Sequence, residues 1–197
     1  VKTDSWGLMH NKFCVIDDKK VLTGSMNPTL NGVSKNNNNL LLIESQTLAD
    51  NYEDEFQEMW NNNFKKGNPV NKEEFRLNNI TIKNYFCPED CKPKLSSSGK
   101  RTDGVYKIID LIRSAEHSIY FMTFSFTHEG IGTAILLRNL EGGVDIKGVF
   151  ESRGSGSKYS KFKQFEYQGI DVVKDSNPNS MHHKVFIIDE KVVVTGS

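Results

Sequence analysis

The chain has 197 residues, enough for one compact α/β domain or two smaller lobes. Its 25 Lys and Arg residues balance 25 Asp and Glu residues, so the formal net charge is zero. This balance excludes a protein whose global basic field attracts nucleic acid. No apolar run reaches the roughly 18 residues of a membrane-spanning helix, and no signal peptide is recognisable.

The first predicted element is a β-hairpin. His10, Lys12 and Cys14 alternate as residues on one face of a strand do. The polar stretch 17–20 then turns the chain into a second apolar strand, which ends just before Ser25. We expect Cys14 to lie in the core.

Three segments follow this hairpin. Residues 39–43 form an apolar run that predicts a buried strand. An amphipathic helix is predicted to open at Thr47 and to continue to Trp60. Residues 61–79 are polar and include a Gly-Asn-Pro sequence, so we expect a linker.

The second half of the chain alternates strands and helices. Strands are predicted over 80–86, 118–126, 144–150 and 170–173, and helices over 104–115, 130–140 and 158–168. This rhythm predicts an α/β layered fold with a mixed, largely parallel sheet flanked by helices. Cys87 and Cys91 lie four residues apart, which allows either a disulfide or a pair of free thiols.

The most informative feature is a pattern that occurs twice, His-x-Lys-x4-Asp-x6-Gly-Ser. Such a repeat, with identical offsets throughout, is very improbable by chance. The two copies consist of His10, Lys12, Asp17, Gly24 and Ser25, and of His182, Lys184, Asp189, Gly196 and Ser197.

These residue types suit the cleavage of a phosphodiester. Charge-assisted hydrogen bonds can neutralise the non-bridging oxygens, and an imidazole can attack phosphorus or protonate the leaving oxygen. The side chains suited to binding the oxygens are Lys12, Lys184, Ser25, Asn27 and Ser197.

The doubled pattern resembles the HKD motif of the phospholipase D superfamily, whose members cleave phosphodiesters with one motif from each of two lobes. Residues 118–127 and 143–151 are also similar to this family. The resemblance implies two repeats related by pseudo-two-fold symmetry, a covalent phosphohistidine intermediate, and no metal or other cofactor. It also implies that Asp17 and Asp189 mainly support the fold of their own motifs.

The order of the parts is unusual for that family. Residues 1–77 are similar to the C-terminal half of one repeat, and residues 78–197 to the N-terminal part of the next, ending in its motif. We expect the sequence to be an excerpt of a longer two-repeat protein. A permuted single domain and a homodimer that completes itself in trans are the alternatives.

The resemblance favours a nuclease-like branch of the superfamily, and so a DNA or RNA substrate cut with little base specificity. A loop over 151–163 contains Arg153, which we expect to bind phosphate. We expect His10 to be the nucleophile and His182 the general acid. A cytoplasmic location is favoured.

Two other functions stay open. A phospholipase D or a phosphatidyl-transferring synthase would use the same groups on a glycerophospholipid. A non-catalytic module would bind phosphate backbones without turnover.

One departure from the family concerns the acid that often follows the first motif and orients the imidazole. Asn38 occupies that position here, in the stretch Lys35-Asn36-Asn37-Asn38-Asn39. A neutral amide can hold the ring but stabilises an imidazolium less well, so the roles of the two histidines can be reversed.

Overall fold

The structure is a computed structural model that describes residues 8–64 and 67–197. Its elements are β1 Phe13–Ile16, β2 Lys20–Gly24, α1 Leu30–Ser34, β3 Leu40–Glu44, α2 Gln46–Trp60, β4 Glu74–Leu77, β5 Ile80–Lys83, α3 Gly104–Arg113, β6 Ser118–Thr123, α4 Glu129–Glu141, β7 Asp145–Phe150, α5 Phe162–Tyr167, β8 Asp171–Lys174, β9 Lys184–Ile188 and β10 Val192–Thr195.

These elements form two compact units. The first unit runs up to Thr23 and from Leu40 to Tyr106, and the second comprises Gly24–Asn39 and Lys107–Ser197. The predicted repeat boundary near residue 77 concerns sequence similarity, and these compact units do not decide it. It stays a prediction.

The first unit is built on a three-stranded sheet in the order β1-β2-β3. Ser45 caps α2 by accepting a hydrogen bond from the Leu48 N–H. The apolar side of α2 then buries Leu48 and Ala49 against Val21, and Val15 packs beside them. Burial of this apolar surface fixes the first motif strand beneath the helix.

Three predictions for this unit are wrong. Residues 39–43 were expected to form a buried strand, but β3 is largely exposed there, with Leu40, Leu41 and Leu42 at 45%, 39% and 63% exposure. The expected linker contains β4, which pairs with β5 in an antiparallel hairpin and packs Phe75 against the same core. The alternating charged residues of β4 concealed this strand in the sequence. Cys14 is exposed, because Val15 takes the core-facing position of β1 and neighbouring residues point to opposite faces.

The second unit contains a five-stranded mixed sheet in the order β10-β9-β6-β7-β8. Strands β6, β7 and β8 are parallel, whereas β9 and β10 are antiparallel to their neighbours. The predicted α/β layered fold with a mixed sheet is therefore confirmed. The antiparallel part is the second motif hairpin.

Aromatic rings fill the core of the second unit. Phe121 of β6 contacts Phe150 and Phe165 edge-on, with ring centroids 5.5 and 6.0 Å apart. Phe126 and Phe186 complete this cluster. Edge-to-face contacts of this kind stabilise a core beyond the area that they bury.

The cysteine pair left open by the sequence is joined, since Cys87 and Cys91 form a disulfide. Over residues 8–64 and 67–197, none of the helices is both long and apolar enough to cross a bilayer.

Gly148 tests the packing of the aromatic core. A Cβ added there would lie 2.1 Å from Cζ of Phe121, a ring that is 3% exposed and held by its neighbours. We predict that Gly148→Ala lowers the free energy of unfolding by about 1–3 kcal/mol in urea denaturation. Gly156→Ala is the control, because open space surrounds that position. Equal losses for the two variants would contradict the packing described here.

Candidate active site

Both motifs fold into the same hairpin. The first motif pairs β1 with β2, and the second pairs β9 with β10. The two central turn residues have positive φ in each copy, 51° and 52° at Asp17 and Asp18, and 53° and 54° at Asp189 and Glu190. These are type I′ turns, which match the twist of the flanking strands. The motif aspartate is thus the first central residue of its turn.

Asp189 also anchors its hairpin to the start of β6. Its carboxylate accepts hydrogen bonds from the backbone N–H groups of Glu116, His117 and Ser118, at 2.7–3.1 Å. These bonds stabilise the ionised form and lower the pKa of Asp189 to about 2. The carboxylate is occupied by backbone of its own unit. Asp17 takes the same turn position but is exposed.

The motif lysines make equivalent contacts. Lys12 donates from Nζ to the carbonyl of His10 at 2.7 Å, and Lys184 donates to the carbonyl of His182 at 2.9 Å. Partial burial lowers the pKa of Lys12. The Nζ of Lys184 also lies 5.2 Å from the ring centroid of Phe124. Each motif therefore places a positive charge beside its own histidine.

His182 is held by its ring as well as its backbone. The residue is 8% exposed, and its Nδ1 lies 2.8 Å from the carbonyl oxygen of Ser25. A carbonyl only accepts, so Nδ1 must carry the hydrogen, and the lone pair of the neutral ring is on Nε2. Phe124 packs against the ring edge, with centroids 4.9 Å apart. This arrangement can present either an Nε2 lone pair or, when protonated, an Nε2 proton.

His10 belongs to the first unit, where the next residue is tied to α2. Asn11 donates from Nδ2 to the Glu55 carboxylate at 3.1 Å. Burial, followed by the nearby carboxylates of Glu89 and Glu58, raises the pKa of Glu55 to about 7. The segment that carries His10, just before β1, is therefore hydrogen-bonded to a carboxyl whose pKa is about 7.

The second unit brings several predicted phosphate ligands near its motif. Ser25 is fully buried, and its hydroxyl donates to Oδ1 of Asn39 at 2.7 Å. Arg153 donates from Nη2 to the carbonyls of Pro178 and Asn179, in the segment that leads to His182. Phosphate binding by these residues, and by Asn27 and Ser197, stays a prediction.

Sequence reasoning missed the residue that supports Ser25. Asn38 was expected to replace the family acid, but its Nδ2 donates to the carbonyls of Gly32 and Asn36 in its own loop. Asn39 contacts Ser25 instead. The sequence shows only a run of four asparagines, 36–39, after the first motif. Nothing in that run indicates which amide contacts Ser25.

Among residues 8–64 and 67–197, no group of three or more His, Cys, Asp or Glu side chains is arranged to hold a metal ion.

Comparisons with known proteins agree with the doubled motif. The family model "Cardiolipin synthase, PLD-like domain" matches residues 1–60 and 108–197. A phospholipase D of Rickettsia typhi is 33% identical over 129 residues, which cover 65% of this chain and 63% of that protein. A mitochondrial cardiolipin hydrolase of Xenopus tropicalis is 39% identical over 56 residues, 28% of this chain and 27% of that protein. This chain therefore spans less than two thirds of the length of either relative.

A solved structure with partial likeness is Nuc from Salmonella typhimurium, a phospholipase D family member. The two chains are 33% identical, and the match covers 47% of this chain and 62% of the Nuc chain. The TM-score is 0.44.

The Asp189 anchor predicts a pH-dependent contribution to stability. The pKa of its carboxyl falls from 3.8 to about 2 on folding, so the contribution is complete above about pH 4 and is lost as the pH falls through about 2. Asp189→Asn should lower Tm at pH 7 by roughly 5 °C, since charge-assisted bonds to three amides are weakened. The difference from wild type should shrink toward pH 2 in thermal unfolding followed by circular dichroism.

Asp17→Asn is the matched control, because it changes the same turn position where the carboxylate is exposed. A Tm loss as large as that of Asp189→Asn, or one independent of pH, would contradict the anchoring role.

Proposed function

We propose that this chain, which belongs to the phospholipase D superfamily, forms the catalytic part of a phosphodiester hydrolase. The observation that carries the proposal is the doubled motif on two hairpins with the same turn, each with its lysine ammonium on the carbonyl of its own histidine. Side chains of this kind supply a nucleophile, a proton donor and positive charge for one phosphate.

In the proposed first step, a neutral ring nitrogen of His10 attacks phosphorus. A P–N bond forms as the P–O bond to the leaving group breaks, and protonated His182 gives its Nε2 proton to the departing oxygen. Lys12 and Lys184 balance the negative charge on the non-bridging oxygens.

In the second step, His182 is neutral and takes a proton from water. The water oxygen attacks phosphorus, the P–N bond breaks, and His10 regains its lone pair. His182 ends protonated, ready for another cycle. The Nδ1 bond to Ser25 supports this role, because it keeps Nε2 as the nitrogen that exchanges the proton.

Nucleic acid is the substrate class that we propose. Phe56 and Trp60 of α2 stack on each other while remaining 42% and 60% exposed, and exposed aromatic faces suit unpaired bases. Their neighbours on α2, Glu55 and Met59, both contact Asn11, next to His10. An aromatic surface therefore lies beside the first motif.

The 151–163 loop offers fewer free cations for binding a nucleic-acid backbone than its sequence suggested. Lys161 is buried and forms an ion pair with Glu129, and Arg153 binds backbone carbonyls. Lys158 and Lys163 remain exposed and can contact a phosphate backbone.

Phospholipid is the second candidate substrate. The observations that favour it are the names of the relatives, phospholipase D and cardiolipin hydrolase. Leu8 and Met9, immediately before His10, are 80% and 54% exposed and could contact an acyl chain.

The test is cleavage of fluorescent single-stranded DNA, RNA and short-chain phosphatidylcholine in excess EDTA. We predict turnover of nucleic acid, and a loss of about 10³-fold or more in kcat for His10→Asn and for His182→Asn. His117→Asn is the control, since this exposed histidine lies outside both motifs.

Turnover of lipid alone would replace the nucleic-acid assignment with the phospholipid one. Binding of substrate without any turnover would contradict the hydrolase proposal and favour a phosphate-binding module. Activity that EDTA abolishes would contradict the metal-independent chemistry.

A further inference from the structure

The asparagine run 36–39 has no part in the proposed chemistry, yet it is bonded to the second motif. Asn37 donates its backbone N–H to the carbonyl of Ser180 at 2.9 Å, and its own carbonyl accepts from the His182 N–H at 2.6 Å. These two bonds form a short parallel bridge that holds the backbone of the catalytic histidine.

Asn39 holds the group that binds the ring of that histidine. Its backbone and side chain make three hydrogen bonds with Ser25: the Ser25 hydroxyl donates to Oδ1, the Asn39 N–H donates to that hydroxyl, and the Ser25 N–H donates to the Asn39 carbonyl. The distances are 2.7, 3.1 and 3.1 Å. Ser25 has no exposed surface, so these bonds are shielded from water.

The same amide reaches the second motif. Nδ2 of Asn39 donates to the Thr195 hydroxyl at 2.9 Å, directly before the second Gly-Ser pair. One side chain thus connects the Gly-Ser tail of the first motif to that of the second.

We infer that Asn39 is a positioning residue for His182, acting through the Ser25 carbonyl that it fixes. This inference rests on the proposed hydrolase function and extends it. If the carbonyl moves, Nδ1 loses its acceptor, and the neutral ring can place its hydrogen on either nitrogen. A ring with its hydrogen on Nε2 has no lone pair there to receive the proton of the attacking water.

Asn38 supplies the matched comparison. It is the neighbouring amide, is equally half-buried, and donates to the Gly32 and Asn36 carbonyls rather than to Ser25. If the family acid's position were what mattered, Asn38 would be the sensitive residue. We predict instead that Asn39 is the residue whose substitution changes the His182 ring.

The first measurement is NMR of protein labelled with ¹⁵N-histidine, in which the His182→Gln variant identifies the His182 signals. In wild-type protein and in Asn38→Leu, the neutral ring should be the tautomer with hydrogen on Nδ1. In Asn39→Leu it should become a mixture of both tautomers. Asn39→Asp should restore the wild-type spectrum, because a carboxylate still accepts from the Ser25 and Thr195 hydroxyls.

The second measurement is steady-state cleavage of bis-p-nitrophenyl phosphate, a generic phosphodiester. We predict that Asn39→Leu lowers kcat by about 10- to 100-fold, the usual effect of removing a group that orients a functional histidine. KM should change by less than about threefold. Asn38→Leu should stay within about threefold of wild type in kcat, and Asn39→Asp should recover most of the loss.

The two measurements separate the inference from the function on which it rests. An unchanged tautomer in Asn39→Leu would overturn the positioning role even if the protein is an active hydrolase. A tautomer mixture in a protein that cleaves no phosphodiester would support the positioning role and contradict the proposed function. Equal effects of Asn38→Leu and Asn39→Leu would also overturn the inference, because they would indicate a general loss of loop structure.

Discussion

General acid–base catalysis by an imidazole is effective when its ring is held in one orientation and one tautomer. For His182 the 2.8 Å bond between Nδ1 and the Ser25 carbonyl favours one tautomer, and Phe124 packs against the same ring. Ser25 belongs to the tail of the first motif and His182 to the second. The second unit therefore combines parts of both copies of the motif.

The repeated hairpin explains why the spacing of the motif is strict. A type I′ turn needs two residues with positive φ, and Asp17 and Asp189 occupy the first of these positions. Each histidine lies just before the first strand of its hairpin, so one residue more or fewer between Lys and Asp would turn the motif lysine to the other face of that hairpin. In the second copy the aspartate also accepts from three amides at the start of β6, so the same residue fixes both the turn and its attachment.

Sequence patterns predicted most of the architecture, because strand and helix periods are local properties. The hairpin after His10 follows from alternation and a polar turn, and α2 from its apolar spacing. The exposure of Cys14 depends on which face of β1 meets the core, and β4, whose charges concealed it, is defined by its pairing with β5; both are tertiary properties. The choice between Asn38 and Asn39 is of the same kind. Both are amides in one loop, and hydrogen bonds to residues far away in sequence decide which one supports the ring.

The central claim is that a histidine of the doubled motif forms a covalent bond to phosphorus. The most direct measurement is peptide mass spectrometry after an alkaline quench of wild-type protein during turnover of a phosphodiester, since P–N bonds survive alkaline conditions better than acid. We predict a phosphoryl adduct on His10, absent from the His10→Asn variant. Turnover with no adduct on either His10 or His182 would contradict the claim.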